Sequence, residues 1–384
     1  MAAYKPYILT VTILAVIGAI FFLNSSNAKR GGGGEIITVT PRASDELSSR
    51  EEKSKKYELA KEITTPDGFI NTDGNSVTIG EFVGKKVVLL DFWTYSCINC
   101  QRTTPYLNSW YEKYKDKGFV IIGVHTPEFE FEKNIENVKA AIESLRIKFP
   151  VVLDNDYSTW QAYRNQYWPR KYLIDIDGYI IYDHIGEGGY KETELKIQEA
   201  LAEKMAVLGE TGNINGGLVE VDHLEPSAQS PETYFGSSRN NNFGSGAPGK
   251  SGLQYFPEPL EISPNMLYLI GEWNIMSEYA ETGATVGSGK PSLDRVDFLY
   301  RAKSVYFVAG SSSGREIEIE VLRDSKPLEP GYAGSDIYFH DGRSFVKIKE
   351  NRLYKLTEDK SLADHLLELI ISDPGLRAFT FTFG

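Results

Sequence analysis

The sequence predicts two unlike domains in tandem: an α/β layer with a mixed sheet flanked by helices, then an all-β, jelly-roll-like sandwich. A single hydrophobic helix stands ahead of both. Three observations carry the prediction. Lys86–Trp93 (KVVLLDFW) and Phe119–Val124 (FVIIGV) are near-continuous apolar runs, as expected of strands covered on both faces. Between them Leu107, Trp110, Tyr111 and Tyr114 follow i, i+3, i+4, i+7 spacing, the stripe of a helix packed on one side. From Met266 the texture changes to short β-rich runs with Gly, Pro, Asn or Asp between most of them.

Residues 1–28 hold one apolar run, Tyr7 to Leu23, preceded by Lys5 and followed by polar sequence. A 17-residue helix spans roughly 25 Å, the short end of what a bilayer needs. Ser26-Asn27-Ala28 also offers small residues for signal-peptide cleavage, and an uncleaved membrane anchor is the preferred reading. Residues 29–56, polar, charged and opened by Gly31–Gly34, read as a flexible tether. The α/β pattern covers 57–208. Ile135, Val138, Ile142 and Leu145 mark a second helix, and Ile197, Leu201, Met205 and Leu208 a third. Asp177-Gly178 between Tyr172–Ile176 and Tyr179–Tyr182 signals a hairpin. Residues 209–264, rich in Gly, Ser, Asn and Pro, read as an irregular linker packing on the domains. The sandwich occupies 265–384, with seven or eight strands expected.

The 384 residues carry a net charge of −12, which argues against a nucleic-acid partner, since that needs a basic face. There are two cysteines, three apart. A disulfide-stapled scaffold would need several spread along the chain, and a structural zinc site would need further paired ligands. His125, His184, His223, His340 and His365 are scattered singly. Chemistry between the two sulfurs is the economical reading, with no metal and no cofactor beyond the redox-active disulfide itself.

The pair lies in Asp91-Phe92-Trp93-Thr94-Tyr95-Ser96-Cys97-Ile98-Asn99-Cys100, where a buried strand ends and a helix begins. A thiol at a helix N-terminus meets the positive end of the dipole and unpaired N–H groups, which favour its thiolate. That thiolate attacks a partner disulfide, and Cys100, one turn along, reaches back to release the product. Asp91 interrupts an apolar strand. Buried there, its pKa would rise and it would serve as proton acceptor for the resolving thiol; satisfaction by neighbouring backbone is the bland alternative. Pro105 should kink the helix. His125 follows a neighbouring strand at the carboxyl-end crevice, where a loop histidine is more often merely solvated. Only about 5–6% of X–Pro bonds are cis, so the residues alone give no ground for a cis bond at Trp168-Pro169.

The segments GKKVVLLDFWTYSCINCQRTTPYL (Gly84–Leu107), GVHTPEFEFEK (Gly123–Lys133) and VVLDNDYSTWQAYRNQYWPRKYLIDIDG (Val151–Gly178) resemble thioredoxin-like proteins of the TlpA/DipZ type. SPETYFGSSR (Ser230–Arg239) and GLRAFTFTFG (Gly375–Gly384) resemble the same branch, including its carbohydrate-binding-module-like C-terminal sandwich. The resemblance implies a thioredoxin fold, Cys97 as attacking cysteine and Cys100 as resolving one. It implies that Pro169 is the cis-proline beside the pair, after Trp168, that Asp91 is the buried aspartate, and that Trp93 is the aromatic beside the site. It further implies an enzyme of cell-envelope redox homeostasis, with cytochrome c maturation or general disulfide reduction among its tasks. Its partners would be protein disulfides or dithiols, a membrane electron-transfer protein in trans, and a glycan at the C-terminal domain. Trp273, Tyr279 and Tyr306 are candidates for sugar stacking, although core packing is the simpler role for them.

Two alternatives stand beside this. Thr94-x-x-Cys97 echoes part of a thiol-peroxidase pattern, although Leu90 stands where that pattern has proline. A surface glycan-binding protein with the redox-like domain as mere scaffold is the other.

Overall fold

The structure, a computed structural model, describes residues 43–214, 217–222, 228–283 and 293–384. The apolar run Tyr7–Leu23 and His223 lie outside them. Among the described residues no helix is long and apolar enough to cross a membrane.

The first domain is a six-stranded mixed sheet in the order β1-β4-β3-β2-β5-β6. Its strands are β1 (Gly68–Ile70), β2 (Val87–Trp93), β3 (Phe119–His125), β4 (Val151–Leu153), β5 (Arg170–Ile174) and β6 (Ile180–Ile185). β2, β3 and β4 run parallel, and β1, β5 and β6 are antiparallel to their neighbours. Every residue of β2 and β3 is buried. The alternation along β2 explains why: Val87, Leu89 and Trp93 enter the core on one face, while Val88, Leu90 and Phe92 enter the core on the other. Asp91 is in phase with Leu89 and Trp93.

Three helices, over Ile98–Tyr114, Ile135–Ser144 and Tyr190–Val207, carry the predicted stripes, with Leu145 and Leu208 just past the ends of the last two and Leu208 exposed. Ala43–Lys56 is α1, Ile98–Tyr114 is α2, Ile135–Ser144 is α3, Ser158–Ala162 is α4 and Tyr190–Val207 is α5. Leu107, Trp110 and Tyr114 are buried, and α2 runs on as one helix through Pro105. The Asp177-Gly178 hairpin joins β5 to β6, with Asp175 Oδ1 accepting from the N–H groups of Asp177 and Tyr179.

The segment read as a flexible tether is corrected over 43–56, which is helical. Lys53 Nζ lies 2.5 Å from Asp175 Oδ2, 2.5 Å from Glu203 Oε1 and 3.0 Å from Asp177 Oδ2. These three carboxylates form the one group among the described residues with metal-like spacing, and the lysine ammonium occupies its centre. Docking of α1 thus rests on a charge cluster, a tertiary contact that tether-like composition conceals.

The C-terminal region is all-β. Among the described residues eleven strands, β7 (Thr233–Tyr234) to β17 (Leu376–Phe383), take part, more than the seven or eight expected. The excess has two sources. Thr233–Tyr234 and Gly252–Phe256 (β8), inside the segment read as irregular, pair with β17 and with β9 (Leu267–Ile275). Short strands such as β10 (Ala280–Thr282) add the rest. Conversely, the runs Arg295–Tyr300 and Ser304–Val308 are one strand, β11 (Asp294–Ser311), with register shifts between Ala302 and Ser304 and between Val305 and Tyr306. It pairs with β16 (Arg352–Ile371), with β17 and with β9. Because β17 also pairs β10 and β10 pairs β9, these strands close a small barrel.

Trp273 is fully buried in the barrel core, its Nε1–H donating to Ile270 O at 2.9 Å. It is unavailable as a sugar platform. Tyr279 and Tyr306 pack instead on a separate apolar cluster between the domains.

Candidate functional site

Cys97 is the N-cap of α2, with extended φ/ψ of −77° and 117°. A cap residue normally offers an oxygen to the free N–H groups of the first turn; here the Cys97 sulfur accepts the Cys100 N–H at 3.3 Å. No carboxylate lies in that first turn to oppose the dipole. Both cysteines are free thiols, Cys97 half-buried and Cys100 buried. Burial first, then the neighbouring Cys97 and the Asp91 charge, push the Cys100 thiol well above its ordinary value, against a hydrogen bond from the Thr94 backbone. One sulfur is presented and the other held in reserve. Iodoacetamide at pH 7 is therefore expected to label Cys97 about a hundredfold faster than Cys100, read by peptide mass spectrometry; equal labelling would contradict this division.

Asp91 lies beneath the pair because its phase along β2 points it to the face that α2 covers. It is 2% exposed, and burial, partly offset by Lys171, raises its pKa to about 6. No hydrogen bond reaches its Oδ1 among the described residues, so neighbouring backbone does not satisfy that atom. Its partner is a residue that sequence reasoning missed. Lys171 on β5 is directly opposite Asp91 in the antiparallel register, and cross-strand partners project to the same face. Lys171 Nζ stands 3.8 Å from Asp91 Oδ1, wholly buried. Burial pulls its ammonium below the usual range, while Asp91 and, more weakly, the two cysteines act in the opposite direction. The site therefore contains a buried cation as well as a buried acid.

Trp168-Pro169 is cis. It immediately precedes β5, whose Arg170 pairs with Phe92, so it sits across from the strand end that leads to Cys97. Trp168 Nε1–H donates to Thr126 O at 3.0 Å, and its ring lies tilted against Trp160 at 4.3 Å. Trp93 is buried and meets His125 edge to face at 5.1 Å.

His125 is corrected from a solvated loop histidine to a fully buried one, the last residue of β3. Tyr95 stacks on it at 5.8 Å, and burial holds its pKa down to about 3, so the imidazole is neutral at physiological pH. Thr94 Oγ1 faces His125 Nε2 at 3.5 Å.

Two further charged groups frame the site. Arg102 makes a paired contact with Glu187, at 2.7 and 2.8 Å, and donates to Asn99 Oδ1 at 2.7 Å. Glu132, wholly buried, accepts from Ser96 N at 3.2 Å and from Ser96 Oγ at 2.6 Å. Nothing in the local sequence distinguishes either residue from a surface charge.

The comparisons with known proteins agree with this geometry. Residues 58–203 match the Redoxin family, and residues 230–384 match the thioredoxin like C-terminal domain. The chain is 36% identical over 326 residues to Protein DipZ of Mycobacterium tuberculosis, which covers 84% of this chain and 43% of that protein. It thus spans less than half the length of that relative. Thiol-disulfide oxidoreductase ResA of Bacillus thuringiensis is 33% identical over 151 residues, covering 39% of this chain and 80% of ResA. Thiol-disulfide oxidoreductase YkuV of Bacillus subtilis is 29% identical over 142 residues, covering 37% of this chain and 93% of YkuV. With its Cys97–Cys100 pair at the head of α2, this chain belongs to the thioredoxin-like family of thiol-disulfide oxidoreductases.

Proposed function

We propose that this chain is an extracytoplasmic thiol-disulfide oxidoreductase that exchanges disulfides with protein substrates through Cys97 and Cys100. The observation that carries the reading is the asymmetry of the pair: an accessible sulfur capping a helix, and a buried thiol one turn away above Asp91 and Lys171. In the reducing direction the Cys97 thiolate attacks a substrate sulfur and displaces the other as a thiol, leaving a mixed disulfide. Cys100 passes its proton to the Asp91 carboxylate and attacks Cys97, which frees the reduced substrate and leaves the Cys97–Cys100 disulfide. Lys171 holds Asp91 ionised enough to accept that proton.

The Tyr7–Leu23 run supports placement on the outer side of a membrane by an N-terminal anchor. Labelling of Cys97 in intact cells with an impermeant maleimide tests the location, and no labelling would refute it. Electrons would reach the pair from a membrane protein in trans; full re-reduction in membranes lacking such a donor would count against that partner. Cell-envelope redox homeostasis and cytochrome c maturation are the tasks that fit. The all-β region, read as a jelly-roll-like sandwich closed in part into a barrel, loses Trp273 as a glycan contact, and the glycan reading is not favoured.

The decisive experiment is equilibration of the pair with glutathione or dithiothreitol buffers. A potential near about −270 mV would fit a reductant. A value near about −120 mV would reverse the direction to an oxidant, and the absence of any reversible couple would sink the oxidoreductase reading.

A further inference from the structure

Ile98 is the first of the two residues between the cysteines, at the head of α2. It is 6% exposed, packed in a cluster with Phe129 of the first domain and Val308, Leu353 and Phe379 of the C-terminal region. Tyr95, two residues before Cys97, donates its hydroxyl to Asn351 O at 3.2 Å. The C-terminal region therefore touches the active-site rim on both sides of Cys97.

A second route leads to the same place. The segment after β3, Glu128–Lys133, has its two ends bound to different domains. Phe129 and Phe131 meet Phe379 at 5.2 and 4.7 Å. Glu128 Oε1 accepts from Arg239 Nη1 at 2.7 Å and from the Tyr234 hydroxyl at 2.9 Å. From the same segment Glu132 turns inward. One of its oxygens accepts from Ser96 N and Oγ; the other accepts from Glu128 N at 2.5 Å and Phe129 N at 3.0 Å. This one carboxylate ties the turn before Cys97 to the backbone that the C-terminal region clamps.

We propose that the redox site is built from both domains, with the C-terminal β-region acting through Glu132 and Ile98 to fix the backbone that presents Cys97. Glu132 is a positioning residue, since it touches Ser96 and not the sulfur. The β-region is thus a working part of the oxidoreductase rather than an appended binding module. The inference rests on the oxidoreductase reading and adds which residues outside the first domain set the behaviour of the couple. The physical argument is leverage. The buried Glu132 side chain accepts four hydrogen bonds, so the turn before Cys97 shifts only when that network is broken. Removing the side chain that accepts these bonds leaves the Ser96 N–H without its acceptor and frees the turn to relax.

The test uses the full chain. Arg239→Gln and Phe379→Ala weaken the interdomain contact; Glu132→Leu cuts the link to Ser96, and Glu132→Gln keeps one of the two acceptor oxygens. Circular dichroism confirms folding, and two readouts follow: the glutathione equilibrium of the pair and the rate of Cys97 alkylation. The expected result is a change of about tenfold in either for Glu132→Leu, a smaller change of the same sign for the interdomain variants, and an effect in Glu132→Gln between those of the unsubstituted chain and Glu132→Leu. Folded interdomain variants with wild-type equilibrium and alkylation rate would overturn the proposal, as would a folded Glu132→Leu variant with both unchanged. Failure of the oxidoreductase reading looks different: the unsubstituted chain itself would show no reversible couple.

Discussion

Cys97→Ser is expected to abolish disulfide exchange, with turnover falling by about three orders of magnitude or more, because a serine hydroxyl is not ionised at neutral pH and forms no disulfide. The companion Cys100→Ser has a different and more informative outcome. Cys97 still caps α2 and remains accessible, so it still attacks. Nothing then resolves the product, and a mixed disulfide with substrate accumulates to about one equivalent per chain. Mass spectrometry of the intact protein reads both results. The asymmetry follows from the structure: Cys97 is half-buried at the helix head, while Cys100 is buried with its thiol pushed well above the ordinary range. Retained turnover in the first variant, or no adduct in the second, would exclude the assignment of roles.

Lys171→Met is expected to produce a pH-dependent loss of stability, reaching about 3 kcal/mol at pH 8. Asp91 has an unfolded value of 3.8 and a folded value of about 6. A group raised on folding gives its stabilising contribution below the unfolded pKa, and that contribution is lost as pH climbs to the folded one. In the unsubstituted chain the loss is complete near pH 6. Removal of Lys171 takes away the charge that opposes desolvation, so the folded pKa of Asp91 moves higher and the loss continues past pH 6. The gap between variant and parent then widens by up to about 1.4 kcal/mol per pH unit. Near pH 5 the carboxyl is largely neutral and the gap should be small, because a buried ammonium is itself costly. Asp91→Asn/Lys171→Met, with neither charge, is expected to recover most of the loss at pH 8. Urea denaturation at pH 5 and pH 8 measures all three. A loss independent of pH, or no recovery in the double variant, would show that Lys171 does not act through Asp91.

Parts of this site are legible without a structure because they are local. Strand β2 and helix α2 announce themselves by apolar period, and the cysteines fall at the junction between them. Even the depth of Asp91 follows from alternation, since it shares a phase with Leu89 and Trp93. Lys171 has a comparable signal, in phase with Leu173, yet its meaning depends on which residue it faces. That requires the β2–β5 register, which joins residues far apart in the chain. His125 looked like loop because it ends an apolar run; parallel pairing extends β3 by one residue and buries it.

The sequence by itself determined the order of the layers, the redox pair and the helix that presents it, because each depends on periodicity and on neighbours within a turn or two. Only the tertiary structure decided that Lys53 fills a carboxylate cluster, that Lys171 charges the floor of the site, and that Phe379 and Leu353 cover Ile98. Those contacts join residues far apart along the chain, and a charged side chain reads alike in sequence whether it meets water or a buried partner. Burial separates the two cases, and burial is a property of the assembled fold.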